Sequence, residues 1–79
     1  MSRPATPDHV LVRRRRIGDQ IRAARQQQNL TQEQVALRVG MERANYVKIE
    51  QGQASPLLDT LLLIADAIGV PLAHLVREG

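Results

Sequence analysis

The stretch TQEQVALRVGMERANYVKIEQG, residues 31–52, contains two short helical patterns separated by a glycine. Thr31 followed three residues later by Gln34 is the pattern of a capping box, which predicts the start of a helix. Gly40 is expected to end that helix, and a second helix is predicted over about 42–51. Two short helices joined by about three residues are typical of a helix-turn-helix.

The predicted helix over 42–51 has two different faces. Tyr46, Ile49 and Glu50 fall on one face at helical spacing, so we expect them to point into the core. A buried carboxylate is costly without a partner, and Arg25 is expected to pair with Glu50. The alternative, a solvated Glu50 at the edge of the face, stays open. The opposite face is expected to point outward; its members are Arg43, Ala44, Val47, Lys48 and Gln51.

Three further helices are predicted around this pair. Apolar residues at helical spacing indicate a first helix that starts near residue 9 or 13 and ends at Asn29. A fourth is predicted near 58–68, and a short fifth begins at Pro71. Core positions are expected on the fourth helix at Leu58, Leu61, Ile64 and Ile68. The sequence thus predicts an all-α fold of five helices.

The chain divides by composition into two parts. Two prolines and small polar residues predict a flexible arm over 1–12, and residues 13–79 are expected to form a single helix-turn-helix domain. Residues 1–31 carry seven arginines and two aspartates, which gives this part a net charge of +5. The whole chain has a net charge of +3, so the rest of the chain is slightly acidic. Such a basic concentration suits a polyanion-binding surface. A solvated charged helix face is the alternative.

Other function classes find little support in the composition. There is no cysteine, only two histidines are present, and no metal-ligand or catalytic spacing appears, so we expect no metal, no cofactor, no small-molecule ligand and no enzymatic activity. No apolar run is long enough for a membrane span, and no leader pattern opens the chain. We therefore expect a cytoplasmic protein.

Residues 17–52, IGDQIRAARQQQNLTQEQVALRVGMERANYVKIEQG, together with SPLLDTLLLIADAIGVPLAHL at 55–75, resemble the lambda-repressor-like (Xre/Cro-type) helix-turn-helix family. The resemblance implies a five-helix bundle whose third helix lies in the major groove of double-stranded DNA. It implies a transcriptional regulator, with repression or autoregulation the expected mode.

The resemblance also implies which residues contact DNA. Base contacts carry over to Arg43, Ala44 and Lys48, with Glu42 and Val47 as additions, and the Arg25–Glu50 pair occurs in family members. Backbone contacts carry over to Gln32, Gln51, Gln53 and Ser55. To these we add Arg13 and Arg14 from the four-arginine run, as phosphate contacts.

The last third of the chain carries more apolar residues than five small helices easily bury. A self-complementary surface made of Leu57, Leu63, Leu72 and Val76 would cover them and give a homodimer on an inverted repeat. The alternative for this surface is that most of these residues fill the core of their own chain. Two alternatives stay open. One is a protein-interaction module on the same fold, and the other is the antitoxin or controller subunit of a two-component system.

Overall fold

The computed structural model describes residues 5–78, which form five helices and no strand. The helices are α1 (Asp8–Gln27), α2 (Gln32–Val39), α3 (Arg43–Glu50), α4 (Leu58–Ile68) and α5 (Leu72–Val76). The predicted all-α, five-helix fold is confirmed. Helix α1 packs against α3 and α5, while α2 packs against α3 and α4. No helix in residues 5–78 has both the length and the apolar character needed to cross a membrane.

The turn between α2 and α3 follows from local sequence rules. The capping box at the start of α2 is confirmed, since the Gln34 N–H donates to Thr31 Oγ1 at 3.0 Å and the Thr31 N–H donates to Gln34 Oε1 at 2.8 Å. Gly40 ends α2 with φ +82°, a left-handed conformation that side chains disfavour. These two signals fix where α2 starts and stops, and therefore where α3 can begin.

Every helix contributes to one hydrophobic core. Its fully buried members are Ile21, Val35, Tyr46, Ile64 and Leu75, one from each helix. Ile49, on the inner face of α3, is 5% exposed. The inner face of α3 therefore anchors that helix and leaves its other face at the surface.

Two predicted boundaries were wrong. Residues 8–12 form the first turns of α1 rather than part of a flexible arm, because Pro7 supplies the carbonyl that receives the Val10 and Leu11 N–H groups at 3.0 and 3.1 Å. Residues 1–4 of the expected arm, and Gly79, lie outside the described residues. Pro71 is the N-cap of α5 rather than its first residue.

The prediction that Leu58 lies in the core was also wrong. Leu58 is 62% exposed, although Leu61, Ile64 and Ile68 do face the core. Leu58 stands in the first turn of α4 at the edge of the apolar stripe, so the other helices leave most of it uncovered. The preceding residue, Leu57, is the N-cap and supplies no side-chain hydrogen bond to the helix.

Candidate nucleic-acid interface

The outward face of α3 presents a short row of side chains to the solvent. Arg43, Ala44 and Lys48 are exposed, and Val47 is half-buried beside them. Arg43, Ala44 and Val47 line a shallow depression. Two cations and two small apolar groups on one side of a helix match what base edges in a major groove offer, namely guanine acceptors and thymine methyl groups.

The predicted recognition helix, over about 42–51, extends one residue too far at each end. Glu42 is the N-cap of α3, exposed and with no side-chain hydrogen bond to the helix, and Gln51 is its C-cap. Glu42 therefore lies before the helix rather than on its outward row. The contact of Glu42 with a base stays a prediction. Its negative charge partly offsets the positive charges of the two cations nearby.

A shallow groove of about 470 Å³ lies between the N-terminus of α2 and the start of α3. Its lining residues are Arg25, Leu30, Thr31, Gln32, Glu33 and Arg43. Backbone N–H groups at the start of a helix attract anions, and Arg43 adds a full positive charge at the opposite wall. Glu33, which also lines the groove, opposes this attraction, so phosphate binding here stays a prediction.

The Gln32 side chain has a partner within the protein. Its Nε2 donates to Glu50 Oε1 at 3.2 Å, so the amide group is oriented by a buried carboxylate at the end of α3. The sequence predicts a phosphate contact for Gln32 but not this contact within the protein, because nothing in the spacing of residues 32 and 50 reveals it. The phosphate contact stays a prediction.

Arg25 and Glu50 form the expected ion pair between α1 and α3. Arg25 Nε lies 2.7 Å from Glu50 Oε2, and Nη2 lies 3.1 Å from Oε1. Arg25 is 8% exposed and Glu50 2% exposed. Burial alone would raise the pKa of Glu50, but the hydrogen bonds from Arg25 hold this pKa below its ordinary value. The pair ties α1 to the last residue of α3.

The loop after α3 carries the other predicted backbone contacts. Gln51, Gln53 and Ser55 are all exposed. The Gln53 N–H donates to the Lys48 carbonyl at 2.9 Å, so the loop folds back on the end of α3. Gln51, the C-cap of α3, and Gln53 therefore lie beside the end of α3.

The two arginines predicted to contact phosphate bind other parts of the protein. Arg13 pairs with Glu78, and Arg14 Nε donates to the Gly52 carbonyl at 2.9 Å. The Arg13 pair is exposed, so it is weak and can exchange for another anion. Arg14 is half-buried and joins α1 to the loop after α3. Both phosphate contacts stay predictions.

The predicted dimer residues fall into two groups. Leu57 and Leu63 are 76% and 50% exposed. Leu72 and Val76 are half-buried and pack against the core of their own chain. Only the first pair offers substantial apolar surface to a partner, and Leu62 adds to it at 42% exposure.

Comparison with known proteins gives several related sequences. The family model described as helix-turn-helix matches residues 21–75. The cryptic phage CTXphi transcriptional repressor RstR of Vibrio cholerae is 40% identical over 58 residues, covering 73% of this chain and 52% of that protein. The immunity repressor of Bacillus phage phi105 is 34% identical over 62 residues, 78% of this chain and 43% of that protein. The chain thus spans about half the length of these relatives.

Solved structures share the fold. The restriction-modification controller protein C.AhdI from Aeromonas hydrophila superposes with a TM-score of 0.75 at 28% identity, covering 85% of this chain and 97% of that one. The hypothetical transcription factor NHTF from Neisseria gives 0.76 at 25% identity, covering 95% and 86%. The clp gene regulator ClgR from C. glutamicum, at 19% identity and a TM-score of 0.77, shows the fold alone. With the family match spanning most of the chain and the predicted five helices in place, this protein belongs to the lambda-repressor-like helix-turn-helix family.

Proposed function

We propose that this domain binds double-stranded DNA at a specific sequence and regulates transcription, with repression as the expected mode. The observation that carries the proposal is the outward row of α3. Arg43, Ala44 and Lys48 are free at the surface while Tyr46, Ile49 and Glu50 hold the same helix in the core. A rigid helix with an exposed cationic row is what direct readout in the major groove requires.

Contacts with the DNA backbone are proposed on both sides of that row. The groove at the start of α2 takes one phosphate, and Gln51 and Gln53 meet the backbone at the other end of α3. Phosphate contacts of this kind set the register of the protein without reading sequence. The relatives named as phage repressors support the regulatory role.

The dimeric state is a further part of the proposal. We propose that Leu57, just before α4, and Leu62 and Leu63 on α4 are covered by a second copy of the chain, because exposed apolar surface of this kind is costly in water. A two-fold dimer would present two α3 helices about 34–36 Å apart, one DNA turn, and would read an inverted repeat. A regulator of this kind acts where the genome lies, so the cytoplasm is the proposed location.

Selection of binding sites from random duplex DNA tests the proposal. We expect the selection to enrich an inverted repeat with half-sites about one helical turn apart. A selection that enriches no sequence would contradict specific binding. If the residual binding also disappears as the salt concentration rises, the contact is non-specific and a protein partner becomes the better candidate.

A controller role is the second candidate. It rests on the likeness to the restriction-modification controller C.AhdI, which the superposition covers almost completely. The two roles differ in which promoter holds the selected sequence. A site in front of the chain's own gene and a neighbouring nuclease gene would favour the controller.

A further inference from the structure

The N-terminal half of α1 lies directly against the end of α3 and the loop that follows it. A Cβ on Gly18 would stand 2.4 Å from the Glu50 carbonyl oxygen, and a Cβ on Gly52 would stand 2.8 Å from the Arg15 Cα. Real Cβ atoms do not approach so closely, so both contacts need glycine. This part of α1 precedes residue 21, where the family match begins.

The four arginines of the run 13–16 have different surroundings. Arg13 pairs with Glu78, and Arg14 donates to the Gly52 carbonyl. Arg15 and Arg16 are exposed, and neither takes part in an ion pair within residues 5–78. The nearest acidic residue along the helix, Asp19, pairs instead with Arg22 at 3.2 Å.

Arg15 stands at the loop, whereas Arg16 does not. The Arg15 Cβ lies 3.1 Å from where a Cβ on Gly52 would stand, so this side chain leaves the backbone beside the loop. Gly52 is flanked by Gln51 and Gln53, both exposed. In an α-helix successive side chains point about 100° apart, so Arg16 is turned away from this contact.

We propose that Arg15 binds a phosphate of the DNA backbone next to Gln51 and Gln53. The inference rests on the proposed function, since it assumes that α3 lies in the major groove. Helix α1 would then add a second element to the backbone-binding surface, outside the part of the chain that the family match covers. A guanidinium suits a phosphate because it can donate two parallel hydrogen bonds.

The contact is to backbone and not to bases, for a structural reason. The loop holding Gln51 and Gln53 contacts the N-terminal half of α1 through Gly52 and the end of α3 through the Lys48 carbonyl. Arg15 therefore meets the nucleic acid at the rim of the groove. It should strengthen binding to any duplex and leave the choice of sequence to Arg43 and Lys48.

The test is the salt dependence of DNA affinity for R15Q and R16Q, two variants with the same change in charge on neighbouring positions. Each phosphate contact contributes about 0.9 to the slope of log affinity against log salt concentration. We expect R15Q to lower the slope by about 0.9. We also expect it to lower the affinity for the duplex found by selection and the affinity for a shuffled duplex by the same factor. We expect R16Q to keep the wild-type slope, and both variants to keep the wild-type thermal midpoint.

Two results would overturn the proposal. One is an R15Q slope equal to the wild-type slope. The other is equal losses in R15Q and R16Q, which would indicate general charge attraction rather than a contact. If the wild-type protein still prefers its selected duplex in either case, the proposed function stands without Arg15. A wild-type protein that binds no duplex overturns both.

Discussion

The guanidinium of Arg25 on α1 donates two hydrogen bonds to the carboxylate of Glu50 on α3, at 2.7 and 3.1 Å. A third Arg25 nitrogen, Nη1, donates to the Leu30 carbonyl at 2.9 Å, just before α2 begins. Gln32 at the start of α2 donates to the same carboxylate at 3.2 Å. The two buried charges thereby join the three helices that form the candidate DNA-binding surface.

Removal of the Glu50 carboxylate should strongly lower the free energy of unfolding of the domain. Glu50→Ala leaves the Arg25 charge buried and unpaired, which typically costs about 3–5 kcal/mol in the free energy of unfolding. Denaturant titration measures this cost. Asp19→Ala is the matched control, because its pair with Arg22 is about half exposed and should contribute no more than about 1 kcal/mol. Similar midpoints for both variants would contradict the structural role of Glu50.

The same pair predicts a dependence of stability on acid. The pKa of Glu50 in the folded protein lies below its ordinary value of 4.5. A lowered folded pKa contributes stability above the unfolded pKa, and this stability is lost as the pH falls through the folded pKa. The stability difference between wild type and Glu50→Gln should therefore be largest near neutral pH and shrink below about pH 4.5. A difference that stays constant down to pH 3 would show that Glu50 is not ionised in the pair.

Gly18→Ala should destabilise the protein although alanine is the better helix former. The helix preference favours alanine by about 1 kcal/mol. The new Cβ would meet the Glu50 and Ile49 carbonyl oxygens at 2.4 and 2.7 Å, and α3 must shift to admit it. We expect the packing cost, about 1–3 kcal/mol or more, to prevail and DNA affinity to fall as well.

Gly40→Ala provides the control for this substitution. A Cβ on Gly40 meets nothing within 4 Å, so only its left-handed backbone resists the change, at about 1–2 kcal/mol. Both variants should lose thermal stability, and DNA affinity separates the effects, because only the Cβ on Gly18 displaces the end of α3. A Gly18→Ala protein with the wild-type midpoint and DNA affinity would disprove the close contact between α1 and α3.

Removal of the Tyr46 hydroxyl, unlike the substitutions above, should not lower the stability of the protein. Tyr46 is fully buried beside the Arg25–Glu50 pair, and its hydroxyl makes no hydrogen bond of normal geometry within the described residues. Burial and the neighbouring Glu50 carboxylate raise the pKa of this hydroxyl, so it stays neutral. An unpaired buried hydroxyl costs about 1–3 kcal/mol, so Tyr46→Phe should keep or increase the free energy of unfolding. A loss above about 1 kcal/mol would mean that the hydroxyl donates to Glu50.

Local rules predicted some features of this fold and tertiary contacts decided the others. The capping box at Thr31 and the left-handed end of α1 at Asn29, with φ +58°, depend on a few neighbouring residues and could be found from the sequence. The exposure of Leu58 depends on which helices cover the first turn of α4. The Gln32–Glu50 contact and the packing of Arg15 on Gly52 join residues distant in sequence, and no periodicity indicates them.

The candidate site divides in the same way. Helical spacing alone separated the outward row at Arg43, Ala44 and Lys48 from the buried face of α3, because one helix turn repeats every 3.6 residues. Within the arginine run, the sequence offered no physical basis for choosing Arg13 and Arg14 over Arg15 and Arg16, since the four differ only in what each meets across the fold.

The most direct test of the account compares affinities for the selected duplex and a shuffled duplex at one salt concentration. The wild-type protein should prefer the selected duplex. In Arg43→Ala and Lys48→Ala, this preference should fall by about 1–3 kcal/mol per variant, because each loses a contact to base edges. Arg77→Ala, an exposed arginine after α5, should keep the full preference. If the Arg43 and Lys48 variants weaken both duplexes equally, or the wild-type protein shows no preference, α3 does not read DNA sequence.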